Sequence, residues 1–275
     1  MSLVLTALIG LLVGTHIATW GMYKDSIHEG FTVSTYLRSP VVAVVIAIIV
    51  HFVTGIDATR ASGMVVLFGL IYVLERATVE FYKVFLRDED QSKYFIPMQF
   101  HINGRVIHNR PVRTAIAIAY AGVVLLVVYG IWLLQRANHG LPNIALVLIV
   151  GSVGGWISAF GGAWKDAPIE GFETFKFFRS PFIALTYALL LSLFTHSLVV
   201  VTMGALGYTV ATIETYKTFF FPSKPRGKFA GKPILFPDML QRRQKFIPVY
   251  SGIWAILIVV WVIAFLQPHD GLLSL

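Results

Sequence analysis

The chain has no cysteine at any of its 275 positions. That excludes a disulfide framework and any thiolate metal site. Charge is scarce as well. Asp, Glu, Lys and Arg make up 13% of the residues, against about 25% in soluble domains. Carboxylates are the rarer sign, with 14 Asp and Glu against 22 Lys and Arg and a formal net charge of +8. The N-terminal Met1-Ser2-Leu3 lacks the basic flank of a cleaved signal peptide, so the first apolar run is expected to be retained as a helix.

What is left is apolar. Hydrophobic residues reach 56% and the mean hydropathy is +0.74. Several runs approach or exceed the roughly 20 residues that cross a bilayer. The expected fold is an all-α integral membrane protein with eight transmembrane helices, near 2–23, 39–56, 62–85, 113–134, 143–164, 181–199, 200–221 and 247–267. The sixth and seventh are almost continuous and must turn near His196-Ser197. In a soluble chain a charge of +8 would suggest nucleic acid. Here the excess of basic residues in cytoplasmic loops is the simpler cause, and no nucleic-acid partner is expected.

Placing both termini outside leaves Arg60 and Arg136 in outer loops and Arg76 within the third span. The other 19 of the 22 Lys and Arg residues then lie at or near the cytoplasmic face. The opposite orientation would export nearly all of them, so outside termini and cytoplasmic motif loops are expected.

The charges that remain are patterned. Lys24-Asp25-Ser26-Ile27-His28-Glu29-Gly30-Phe31, then Arg38-Ser39-Pro40, returns as Lys165-Asp166-Ala167-Pro168-Ile169-Glu170-Gly171-Phe172, then Arg179-Ser180-Pro181. The offset is 141 residues, and eight of seventeen positions are identical. Gly10 and Gly14 match Gly151 and Gly155 at the same offset, a spacing that permits close helix contact in lipid. Ala77-Thr78-Val79-Glu80-Phe81-Tyr82-Lys83 matches Ala211-Thr212-Ile213-Glu214-Thr215-Tyr216-Lys217, and Arg105 and Pro111-Val112 match Arg242 and Pro248-Val249. The expected organisation is a parallel tandem repeat of two four-helix halves, 1–140 and 141–275. Four spans per half is an even number, so both copies of each motif face the same side.

Asp25 and Glu29, like Asp166 and Glu170, lie four residues apart and would share a helix face. Pro168 argues against a regular helix across the second pair. Two carboxylates with water and a substrate phosphate commonly hold Mg²⁺, so all four are catalytic and metal-ligand candidates. Gly30 and Gly171 follow, where φ > 0 is tolerated. Ser39-Pro40 and Ser180-Pro181 read as an N-cap and first helical residue, and a helix start behind Arg38 or Arg179 would suit a phosphate. Lys24, Arg38, Lys165 and Arg179, with Glu80, Lys83, Glu214 and Lys217 at the ends of the third and seventh spans, complete the expected substrate-binding set. Glu75 and Arg76, deeper in the third span, have no charged counterpart in the second half.

Other features weigh less. His51 and His196 do not align at the repeat offset, His16 is replaced by Ile157, and His101 and His108 are expected to be solvated. Phe172, Phe175, Phe177 and Phe178 cluster beside the second motif, as interfacial anchors or as the wall of a groove for a lipid tail. The segments 86–112 and 222–246 are basic, and Ser223-Lys224-Pro225-Arg226-Gly227-Lys228 and Arg242-Arg243-Gln244-Lys245 would draw anionic headgroups at about 1 kcal/mol per cation. Phe95-Ile96-Pro97 and Leu235-Phe236-Pro237 suit either dipping into the interface or docking a partner protein.

Three functions are compatible with this sequence. The first is a membrane enzyme acting on a phosphorylated lipid or isoprenoid at the cytoplasmic face, with Mg²⁺ as its cofactor. The second is a transporter or flippase for an anionic or lipid-linked substrate. The third is a structural subunit of a membrane complex. The expected partners are anionic or phosphorylated membrane lipids, and protein partners or a homo-oligomer are compatible with the sequence as well.

Overall fold

Ten α-helices and one short hairpin are the regular elements of the computed structural model, which describes residues 1–137, 140–222 and 227–274. The helices are α1 (Ser2–Glu29), α2 (Val33–Thr54), α3 (Ala61–Phe81), α4 (Arg110–Arg136), α5 (Asn143–Val150), α6 (Val153–Glu170), α7 (Thr174–Leu191), α8 (Leu198–Thr215), α9 (Met239–Arg242) and α10 (Phe246–Leu266). The hairpin pairs β1 (His101–Ile102) with β2 (Arg105–Val106). Six stretches are long and apolar enough to cross a membrane: α1, α2, α4, α5–α6 together, α8 with its extension to Phe220, and the stretch from Met239 to Leu266. The chain is therefore an all-α protein with the makeup of a multi-pass membrane protein.

Local chemistry explains where the helices begin and end. Thr32, Asn109 and Ser197 cap α2, α4 and α8 by accepting from the amides of Thr35, Val112 and Val200. Gly30 (φ 75°) and Gly171 (φ 86°) end α1 and α6 in conformations that a side chain would strain. The turn between the sixth and seventh expected spans falls at 192–197, as the sequence suggests.

Two expectations about proline are corrected. Ser39-Pro40 and Ser180-Pro181 do not open helices. Helices α2 and α7 begin at Val33 and Thr174, so both prolines lie about two turns inside. The phosphate-binding helix starts expected behind Arg38 and Arg179 therefore do not form. Likewise α6 runs on through Pro168 to Glu170. Pro168 falls in the last turn, where losing one ladder hydrogen bond disrupts little of the helix.

The Ser-Pro pairs serve packing instead. Helix α1 crosses α2 with Gly14 against Ser39 O and Pro40, and with Gly10 against Ala43 and Ala47. A Cβ on Gly10 would sit 2.7 Å from the Ala47 Cβ. The same contacts recur 141 residues on. Gly155 faces Ser180 O and Pro181, where a Cβ would sit 2.5 Å and 2.6 Å away, and Gly151 faces Ala188. Between lipid-soluble helices there is no hydrophobic drive to associate, so this backbone-close packing is the main attraction.

At the centre α3 packs on α8. A Cβ on Gly69 would come within 2.6 Å of Gly204 O, and Gly207 lies against the Gly69 carbonyl. Tyr208, fully buried, donates to Val65 O at 2.8 Å across this contact. Both α3 and α8 leave their bundle end through a wider, π-helical turn, Tyr82–Leu86 and Tyr216–Phe220.

Candidate functional site

Every charged motif residue lies at the end of the bundle where α1, α3, α6 and α8 finish and α2, α7 and α10 begin. Asp25 and Glu29 sit on the last turns of α1, and Asp166 and Glu170 on those of α6. Each pair shares a helix face, and each is bridged by one lysine ammonium. Lys228 Nζ lies 3.0 Å from Asp25 Oδ2 and 3.3 Å from Glu29 Oε1. Lys176 Nζ lies 3.4 Å from Asp166 Oδ2 and 3.2 Å from Glu170 Oε2.

The two bridges have different origins. Lys176 comes from the first turn of α7, next to its own motif. At the offset of 141 residues its counterpart is Thr35, which is too short to bridge. Lys228 instead arrives on the loop between α8 and α9. That loop is fastened to the end of α1: the Leu235 and Phe236 amides donate to Ile27 O, each at 3.0 Å. His28 stacks on Phe229 and its Nδ1 lies 2.9 Å from Pro233 O. The loop between α3 and α4 crosses the other way. Its Met98 Sδ receives Lys165 Nζ at 3.6 Å, and Gly104 of the hairpin lies against Ile169 of α6. The two loops meet where the Phe95 amide donates to Lys228 O at 2.7 Å.

A second charged layer lies inward. Glu214 pairs with Lys24 of α1 and Lys217 of its own turn, each at 3.7 Å. Glu80 pairs with Arg76 and, at 3.2 Å, with Lys83. Glu75 is fully buried beside this layer.

These groups line separate cavities. Asp25, Glu29, Arg38, Lys83 and Lys228 line one of 630 Å³. Asp166, Glu170, Lys176, Arg179 and Lys217 line another of 320 Å³, into which Lys24 also projects. The two carboxylate pairs thus line different cavities, and Lys24 of the first motif reaches the cavity of the second. A smaller cavity of 170 Å³ lies on the other side of Asp166, Lys176 and Arg179. Arg179 also borders an apolar groove of 550 Å³ with Phe175, Phe178, Phe182, Ile183 and Tyr216. Phe175 and Phe182, each 74% exposed, make this the outer flank of α7.

The loops carry shifted titrations. Burial, then the Glu29 and Glu89 carboxylates, push the Tyr94 phenol well above its usual value. Burial raises the Glu89 carboxyl, but Lys93, Arg87 and the Tyr94 hydroxyl outweigh it and hold it below the carboxylate range. A hydrogen bond from Arg113 holds Asp88 low. His101 is corrected: it is 3% exposed, not solvated, because the hairpin folds it inward. Burial, then the Lys165 charge, lower its imidazole below the usual value.

Mg²⁺ fits poorly. Each carboxylate pair already holds an ammonium, and no group of three His, Asp or Glu suited to a metal occurs among the described residues. Of the aromatic loop segments, Ile96 is buried and Phe236 packs under Gly30, while Phe95 and Leu235 stay exposed at 43% and 64%. Of the basic cluster 223–228, positions 223–226 lie outside the described residues.

The sequence does not single out Lys176 or Tyr94, and it places Lys228 only in the basic cluster 223–228. Lys176 is legible three residues before Arg179 on one helix face. Nothing local pairs Lys228 with Asp25, and Tyr94 carries no local signal. A buried network about His16 was also underrated. Its ring stacks on Tyr250 at 4.3 Å between centroids, and its Nδ1 lies 3.2 Å from a Tyr72 hydroxyl that also receives Trp20 Nε1 at 3.0 Å. No family model matches this chain, and neither a curated protein nor a solved structure is detectably similar to it.

Proposed function

We propose that this protein is a membrane enzyme acting on a phosphorylated lipid or isoprenoid, bound at the cytoplasmic end of its bundle. The observation that carries the reading is the double position of Arg179. It lines the polar cavities with Lys176 and Lys217, and it borders the apolar groove on α7 and α8. A phosphate among the three cations and a tail along Phe175, Phe178 and Phe182 would place one amphiphile across both.

Fixed cations around a phosphate stabilise the charge that develops as a phosphate-bearing group is transferred or leaves. Asp166 and Glu170 would orient Lys176 and hold it charged. A divalent ion would have to displace that ammonium, so the four carboxylates act as positioning groups for lysine.

The same reading takes the eight long helical segments as eight spans in two parallel four-helix halves, 1–140 and 141–275. The paired contacts of Gly14 with Pro40 and Gly155 with Pro181, and the π-turns after Glu80 and Glu214, support the duplication. The excess of Lys and Arg at the motif end supports a cytoplasmic site with outside termini. The lateral groove also suits a flippase, since a tail could stay in the bilayer while the headgroup is held.

Native mass spectrometry of the gently extracted protein tests the binding. The wild type should retain a phosphorylated lipid, and Arg179→Gln with Lys217→Gln should lose it. Retention unchanged in the double variant, or none in the wild type, would sink the proposal.

A further inference from the structure

The lysine bridging Asp25 and Glu29 is a ligand supplied by the chain itself. Its seat has the makeup of an ammonium site. Two carboxylates lie within 3.3 Å of Lys228 Nζ, and the rings of Phe229 and Tyr94 lie 4.6 Å and 5.3 Å away. Carboxylates with aromatic faces are how proteins hold ammonium groups.

Lys228 does not exhaust the seat. Asp25 Oδ1 is buried with no hydrogen-bond partner, and so is the Nε2 of His28, a residue 4% exposed that lines the same cavity. The cavity behind is the larger of the two motif cavities, at 630 Å³. Cationic side chains outnumber carboxylates in its lining by seven to three, and the buried Nε of Arg38 there has no hydrogen-bond partner.

We propose that this cavity binds a phosphorylated headgroup bearing a primary amine, its ammonium replacing that of Lys228 between Asp25 and Glu29 and its phosphate lying toward Arg38 and Lys83. The proposal rests on the reading of the bundle end as a lipid-phosphate site and adds the headgroup class. The exchange needs only side-chain rotation. The loop stays fastened through the Leu235 and Phe236 amides, which keeps Phe229 in place, and the Phe95 amide bond to Lys228 O keeps Tyr94 beside it. The second motif differs, because Lys176 belongs to α7 and fills the equivalent position from within.

The test compares phosphatidylethanolamine, phosphatidylglycerol and phosphatidate of equal chain length, retained by the full chain in native mass spectrometry. Lys228→Met should raise phosphatidylethanolamine retention at least fivefold and change phosphatidylglycerol less than twofold. Adding Asp25→Asn and Glu29→Gln should abolish that gain. Equal rises for both lipids would show an anion site alone and overturn the proposal, as would no rise in a folded variant. If Lys228→Met does not fold, the wild type still decides. O-phosphoethanolamine should raise its unfolding temperature more than glycerol 3-phosphate at equal concentration, and equal shifts would overturn the proposal. Sensitivity of phosphatidate retention to Arg179→Gln reports separately on the proposed function.

Discussion

Lys24 on α1 reaches Glu214 on α8 at 3.7 Å, an ion pair between residues 190 positions apart that ties the first motif to the second half of the chain. Trp20 lies beneath the same ammonium, 5.4 Å from its ring centroid. Both side chains are mostly buried, at 28% and 16% exposed. Lys24→Met and Glu214→Gln should therefore couple. A double-mutant cycle on thermal unfolding in detergent should give about 1 kcal/mol of interaction. Additive single effects would show that the pair contributes nothing.

The glycine crossings make a sharper prediction. Gly14→Leu and Gly155→Leu each force a side chain into the backbone at Ser39-Pro40 or Ser180-Pro181. Overpacking of this kind costs about 1–3 kcal/mol or more. Each variant should lower the unfolding temperature by several degrees or fail to assemble. Gly122→Leu and Gly130→Leu on α4, where a Cβ meets nothing within 4 Å, should be tolerated. Equal damage from all four would argue against a specific crossing.

Acid should loosen the hairpin. His101 titrates lower in the folded chain than its usual value of about 6.5, through burial and the neighbouring Lys165. The unfolded form therefore binds the proton more readily. Stability from this group is complete above about pH 6.5 and is lost as the pH falls toward the folded value. Hydrogen-exchange protection factors over residues 99–107, corrected for the intrinsic rate at each pH, should fall between neutral pH and pH 5, and His101→Phe should flatten that dependence. An unchanged pH profile in His101→Phe would assign the effect elsewhere.

Chelation separates ammonium from metal at the second motif. Phosphorylated-lipid retention should survive EDTA and fall at least tenfold in Lys176→Met. If EDTA releases the lipid while Lys176→Met keeps it, Asp166 and Glu170 hold a divalent ion. Asp166→Asn should abolish turnover in either case while leaving the fold intact, since it removes a carboxylate from the bridge.

Legibility from sequence followed the range of the interaction. The apolar runs around Leu67 or Ile258, the φ > 0 glycines Gly30 and Gly171 and the shared helix face of Asp25 and Glu29 depend on neighbours within one turn and are readable, whereas Pro168 hides the same face for Asp166 and Glu170. Ser39-Pro40 reads locally as a helix start because a proline inside a helix loses a ladder hydrogen bond. The sequence does not show that the close crossing of Gly14 on Ser39 and Pro40 holds it inside α2. Thr32, one turn and more upstream, offers the better cap and takes the role. His101 was expected in solvent because its neighbours are polar, and the hairpin buries it regardless.

The sequence by itself determined the membrane character, the helices and the duplication of charge at fixed spacing, because these rest on transfer energies and periodicities summed over contiguous residues. Only the tertiary structure decided which cation each carboxylate meets and that the motifs open into two cavities. Lys228 reaches Asp25 across more than two hundred residues because two loops cross over the bundle end. That crossing is set by the packing of whole helices, and no local pattern around Lys228 records it.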